Sequence, residues 1–174
     1  MIELVLGGAR SGKSRYAEQQ VIKTGKAKIY LATAEALDNA MQVRISRHRE
    51  DRGFGWHTIE EQINLAFALQ STDNPANCIL LDCLSLWLSN CLLSEDPHCW
   101  PKQKQALLDA LPAMQADVIL VSNEVGQGIV PMGEINRRFV DEAGWLHQAL
   151  AVMADKVTLV TAGIAQTLKD TDKR

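Results

Sequence analysis

The sequence predicts an α/β protein built on a mostly parallel sheet with helices on both faces. Two observations carry that prediction. Short segments at residues 2–6, 27–33, 78–81, 117–121 and 157–161 are apolar at successive rather than alternate positions, as strands covered on both faces must be. Segments with helical spacing separate them, and no repeat or low-complexity stretch interrupts the alternation. A chain of 174 residues fits one well-buried domain, so residues 1–174 are expected to form a single domain.

The elements follow in order. Residues 2–6 run into glycines, and residues 14–23 are helix-like with Gly25 as the stop. AKIYLAT (27–33) reads as a buried strand. Leu37, Met41 and Ile45 repeat at helical spacing, predicting a helix over 36–49. Gly53 and Gly55 break it, and WHTIEEQINLAFALQ predicts another helix starting near Thr58, with Glu61 at capping-box spacing. CILL (78–81) is a second buried strand, followed by a helical run at 84–93. Pro97 and Pro101 punctuate the next stretch before helix returns over 102–115. DVILV (117–121) is a third such strand, a loop covers 122–133, and a helix runs over 134–153. Residues 157–161 close the set, and the charged KDTDKR end, from about residue 170, is expected to fray.

Composition narrows the function. Eighteen Lys+Arg against 21 Asp+Glu leave a net charge of −3, so any bound anion needs a local site rather than a global basic field. No apolar run approaches the roughly 18 residues of a membrane span, and the N-terminus lacks the regions of a signal peptide. Cytoplasm is the expected compartment. Cys78, Cys83, Cys91 and Cys99 form no CxxC pair and read as buried free thiols.

Gly7-Gly8-Ala9-Arg10-Ser11-Gly12-Lys13-Ser14 satisfies G-x-x-x-x-G-K-[ST] between a strand and a helix. Glycines let the backbone turn successive N–H groups towards phosphate oxygens, and the following helix adds its positive end. Lys13 is placed to reach the β- and γ-phosphates, and the Ser14 hydroxyl to ligate Mg²⁺. Binding of a nucleoside triphosphate follows. A carboxylate at the end of a neighbouring strand should hold the metal's water shell, and Asp82 after CILL is the candidate; a helix N-cap is its compatible second role. Ligands bind where parallel strands end, so Gly7 to Ser14, Thr33, Asp82, Asn123 and Glu124 should converge there.

RISRHREDR places Arg44, Arg47, Arg49 and Arg52 around His48. Arginines fork onto phosphate oxygens, and a neutral imidazole among them could attack phosphorus. A solvated amphipathic helix, its charges paired with Glu50 and Asp51, explains the same segment. His57, His98 and His147 are scattered, without metal spacing, and read as structural.

Taken together, GGARSGKS, YLAT, Arg44-Ile45-Ser46-Arg47-His48, Trp56-His57-Thr58-Ile59-Glu60, LLDCLSLWLSN and VSNEVGQGIVP resemble the bifunctional adenosylcobinamide kinase / adenosylcobinamide-phosphate guanylyltransferase family of cobalamin biosynthesis. The resemblance spans residue 2 to about 169. It implies a RecA-like fold and homotrimers with active sites between subunits. It also implies two reactions: phosphorylation of adenosylcobinamide by ATP or GTP, then transfer of GMP from GTP through a guanylyl-histidine to give adenosylcobinamide-GDP. His48 falls at the GMP-accepting position. Gly7 to Ser14, Ala32, Thr33, Ala34, Arg49, Glu50, Asp51, Arg52, Glu60 and Asp82 would line the guanine nucleotide site. Arg47 stands where some relatives carry a second histidine, and residues 94–101 match no pattern of the family. The partners implied are a corrinoid and GTP or ATP, without nucleic acid. A plain small-molecule P-loop kinase, or a nucleotide-switched binding module, is the alternative; a covalent GMP adduct separates the first, and GTP consumption without an acceptor the second.

Overall fold

A computed structural model describes residues 1–34 and 53–171. Its elements are β1 (Ile2–Gly7), α1 (Lys13–Thr24), β2 (Ala27–Ala32), β3 (Trp56–Glu60), α2 (Leu65–Ser71), β4 (Asn77–Asp82), α3 (Leu84–Leu92) and α4 (Cys99–Ala110). A 3₁₀ turn (Leu111–Ala113), β5 (Asp117–Asn123), α5 (Glu134–Met153), β6 (Lys156–Thr161) and β7 (Ile164–Asp170) complete the set. The seven strands form one sheet in the order β3-β2-β4-β5-β1-β6-β7. All neighbours are parallel except β6 and β7.

The alternation of side chains along each strand divides the core in two. Val5, Tyr30, Leu80, Ile119, Val121 and Val160 face Ala17 and Val21 of α1. Leu4, Leu31, Ile79, Leu81, Val118 and Leu120 face the other way, onto residues of α2, α3, α4 and α5. Burial on both faces is why these strands read as unbroken apolar runs. Gly25 ends α1 in the left-handed region (φ 68°), its N–H donating to the Ile22 carbonyl at 3.2 Å, so the predicted stop stands.

Four expectations need correction. Trp56–Glu60 is a strand, not the start of a helix; it pairs with β2 from Lys28–Trp56 to Ala32–Glu60. Trp56, Thr58 and Ile59 suit an extended, partly covered edge, and the helix begins only at Leu65. Glu61 does cap a turn, for its Oε1 accepts from the N–H groups of Ile63 and Asn64, both at 2.8 Å. Secondly, α4 starts at Cys99 and includes Pro101, because a first-turn residue needs no intrahelical N–H partner; it gives way at Ala110 to the 3₁₀ turn. Thirdly, Ser122 and Asn123 extend β5 and are not loop.

Finally, β7 stands where the sequence pattern predicts no strand. Ala162 and Gly163 both take positive φ (52° and 78°), a two-residue turn that folds β7 back on β6. The end is tied down as far as the structure describes it. The Lys169 ammonium donates to the carbonyls of Ala151, Val152 and Ala154 after α5 has run out of N–H partners, and the Thr171 N–H donates to the Asp155 carbonyl. The predicted helix over 36–49 lies outside the described residues.

Candidate active site

The phosphate loop begins where β1 ends. A Cβ on Gly7 would stand 2.5 Å from Ser11 Oγ and 2.6 Å from the Val160 carbonyl oxygen, so only glycine fits. Gly12 takes φ 95°, and a Cβ there would meet Gly163 Cα at 3.2 Å. The Gly163 N–H donates to the Ser11 carbonyl at 2.8 Å, so the β6–β7 turn closes one side of the loop. Lys13 is buried, and its ammonium donates to the Gly8 carbonyl at 3.2 Å. Ser11 Oγ is buried with no hydrogen-bond partner among the described residues. A bound phosphate oxygen would satisfy it.

Strand register brings the other predicted residues to the same edge. Ala32 is opposite both Glu60 and Asp82, while Gly7 is opposite Asn123 and Val160. Asp82 Oδ2 accepts from the Tyr30 hydroxyl at 3.3 Å. Thr33 is fully buried: its hydroxyl donates to the Cys83 carbonyl and accepts from the Cys83 N–H, both at 2.8 Å. Its side chain therefore staples the segment after Asp82. Asn90 supports that staple, its amide donating to the Thr33 carbonyl at 3.0 Å. Burial pushes the Cys83 thiol up, the Asp82 charge pushes it further, and Lys13 opposes both. All four cysteines are free and buried. A neutral thiol thus lies within reach of the fields of both charged site residues.

Sequence reasoning missed one network. Glu124 follows β5, and its N–H donates to the Gly7 carbonyl at 3.0 Å. Its Oε1 accepts from the Gly126 N–H at 2.6 Å, and its Oε2 lies 3.8 Å from His147 Nδ1. The His147 Nε2 and Ser122 Oγ are 2.7 Å apart. Burial holds the His147 imidazole below its ordinary range, against the pull of Glu124. Asn123 Oδ1, at the end of β5, is buried with no partner among the described residues. Spacing alone could not join His147 to Ser122 and Glu124, although Asn123 and Glu124 are marked by their place at a strand end. Ala34 ends the first described stretch; His48, with Arg44, Arg47, Arg49, Glu50, Asp51 and Arg52, lies outside the described residues.

One strand, β5, separates β1 and its phosphate loop from β4 and Asp82. With the loop, that strand order makes the chain a P-loop nucleotide-binding protein of the RecA-like class. The flagellar accessory protein FlaH of Methanocaldococcus jannaschii shares the fold at 11% identity, with a TM-score of 0.52 over 97% of this chain and 78% of that one. An ATPase of a bacterial type III secretion system shares it too, at 11% identity and a TM-score of 0.55, over 95% of this chain and 56% of that one. Residues 3–168 match the cobinamide kinase / cobinamide phosphate guanyltransferase family, and the chain belongs to that family. It is similar to the bifunctional adenosylcobalamin biosynthesis protein CobP of Pseudomonas aeruginosa, 50% identical over 97% of this chain and 98% of the relative. To the corresponding CobU of Escherichia coli K12 it is 39% identical, over 97% of this chain and all of the relative. The chain is thus a bifunctional enzyme, a cobinamide kinase and a cobinamide phosphate guanylyltransferase.

Proposed function

We propose that both reactions use the phosphate loop, and that His48 carries GMP between them. The observation supporting a single pocket is that Lys13, Asp82 and the backbone of Gly7 to Ser14 share one edge of the sheet, where the buried Ser11 Oγ lacks a partner among the described residues. ATP or GTP phosphorylates the terminal hydroxyl of adenosylcobinamide. GTP then guanylylates His48 with release of pyrophosphate, and the cobinamide phosphate takes the GMP to give adenosylcobinamide-GDP. Lys13 neutralises charge on the phosphates as it develops. Gly7 to Ser14, Ala32, Ala34, Arg49, Glu50, Asp51, Arg52 and Glu60 line the nucleotide site. Thr33 acts there through its staple.

The donor set suits Mg²⁺, because Ser14 and Asp82 supply hard oxygens and both residues stay partly exposed. The Ser14 hydroxyl and the Asp82 carboxylate would hold it, and when bound it would neutralise phosphate charge. The chain acts as a single domain, in the cytoplasm. No helix among the described residues is long and apolar enough to cross a membrane. Homotrimers are supported by large apolar side chains left open, Ile129 at 97% exposure and Met132 at 90%. Incubation with labelled GTP and Mg²⁺ should label the protein with GMP through a bond lost in acid and stable in alkali. Labelling stable in acid would reject the phosphoramidate.

A further inference from the structure

The kinase reaction has a requirement that the transfer reaction lacks. In phosphorylation the acceptor is a neutral hydroxyl, whose proton must leave. In guanylyl transfer the acceptor is a phosphate monoester, with a second ionisation near pH 6, already anionic at neutral pH. A group that orients an alcohol and takes its proton should therefore matter to one reaction alone.

Among the described residues, four carboxylates end or follow strands at the nucleotide edge: Glu60, Asp82, Glu124, and Glu61, whose Oε1 is taken up by the N–H groups of Ile63 and Asn64. Neighbouring strands lie about 4.8 Å apart. Glu60 sits on β3, four strands from β1, roughly 19 Å across the sheet. Asp82 sits two strands away and is the residue proposed to hold the metal. Glu124 directly follows the strand beside β1, and its backbone is bonded to Gly7. Its carboxylate is held by the Gly126 N–H at 2.6 Å, with His147 Nδ1 3.8 Å away on the other oxygen. Ser122 Oγ lies 2.7 Å from Nε2 and Glu124 Oε2 lies 3.8 Å from Nδ1; with the hydroxyl as donor, the imidazole proton would sit on Nδ1, on the side of the carboxylate. Ser122 is buried in β5 and cannot serve as a nucleophile, so this Ser-His-Glu arrangement ends inside the protein. Its outward end is Glu124, whose side chain is 21% exposed.

We propose that Glu124 is a catalytic residue of the kinase step, accepting the hydrogen bond of the corrinoid hydroxyl, and that His147 is the residue that positions it. The acceptor oxygen forms its bond to the γ-phosphorus as the bond from that phosphorus to the β,γ-bridging oxygen breaks. The bridging electron pair leaves with the nucleoside diphosphate. The hydroxyl proton passes to the Glu124 carboxylate and from there to water.

This rests on the two family activities, and the unaltered protein, assayed for each, is the control for them. The test measures phosphorylation of cobinamide with ATP, and separately guanylyl transfer from GTP to cobinamide phosphate supplied ready-made. Glu124→Gln should lower kcat for phosphorylation about a hundredfold or more, with KM for ATP within about threefold. Transfer should stay within about threefold. His147→Ala should lower phosphorylation about tenfold and leave transfer in place, and His147→Gln, which can still accept from Ser122 and donate to Glu124, should restore it. Phosphorylation by Glu124→Gln at close to the parent rate would overturn the proposal. So would equal loss of both reactions in a folded variant, since that would make Glu124 a prop for the phosphate loop. Should Glu124→Gln fail to melt cooperatively, Glu124→Asp is read for the same split.

Discussion

The two ends of the nucleotide edge are built differently. Around β1 the phosphate loop is gripped from both neighbouring strands, by the Glu124 N–H from β5 and the Gly163 N–H from the turn after β6. Beneath it a buried Glu3 accepts from Tyr16, Lys156 and Thr158, tying α1, β1 and β6 together. Around β2 and β3 the ties among the described residues run chiefly through side chains, those of Tyr30, Thr33 and Asn90. The fully buried Thr33 hydroxyl bridges to Cys83, and β3 is a partly exposed edge strand of five residues. The difference separates two tasks. On the proposed reading the triphosphate is common to both reactions and is met by a rigid cradle bonded through the backbone, whereas Thr33, near the end of the first described stretch, is held chiefly through side chains.

Changes at the rigid end should be largest and least selective. Lys13→Ala should cost both reactions orders of magnitude while the melting temperature stays near that of the parent, because Lys13 is the buried cation of the loop, whereas Arg10 is exposed. Near-normal turnover in either assay would mean that the two reactions use separate pockets. At the other end, His48→Ala should abolish GMP labelling and transfer, yet leave phosphorylation within about tenfold, near 1.4 kcal/mol of barrier. Loss of both activities with folding intact would erase the contrast between the ends.

A smaller effect is expected at the staple. Thr33→Val keeps the shape but strands the Cys83 N–H and carbonyl in a buried place, and should cost about 1–3 kcal/mol of stability. Urea unfolding would show it, and an unchanged midpoint would mean that the segment after Asp82 is held by other contacts. The smallest concerns pH. Burial depresses His147 below its ordinary 6.5, against the opposing charge of Glu124. The unfolded chain thus binds the proton more readily, so stability is complete above about pH 6.5 and falls as pH drops through that value towards the folded one. Comparing the melting temperatures of parent and His147→Gln at about pH 7.5 and about pH 5.5 should reveal a larger drop in the parent.

Sequence shows the rigid end more fully than the other. The glycines of the phosphate loop are legible because each answers a local demand, a turn or a close backbone approach, within a single short loop. Likewise the strands β1, β2, β4, β5 and β6 announce themselves by burial on both faces. Trp56–Glu60 misleads because a short edge strand followed by EEQ carries as much helical as extended pattern, and only pairing with β2 decides it. β7 is hidden by its polarity; it is exposed along most of its length and owes its form to pairing with β6. The charge of Glu3 inside an apolar run, and the meeting of His147 with Ser122 and Glu124, depend on partners far along the chain, which no local spacing records.

The turn at Ala162 and Gly163 also places a condition on how the protein comes into being. A loop encoded near the start of the chain is completed by a hydrogen bond from Gly163, and the Glu3 network beneath it closes across 155 residues. During synthesis the loop therefore emerges well before the partners that complete it. Contacts of such separation slow folding, because loop closure costs entropy before the contact is gained. Nucleotide should engage a nascent chain fully only after β6 and its turn have left the ribosome, so ligand capture should report the emergence of that turn rather than of the loop itself. Ribosome-stalled chains of increasing length should gain retention on immobilised nucleotide in a single step once the turn is free of the exit tunnel.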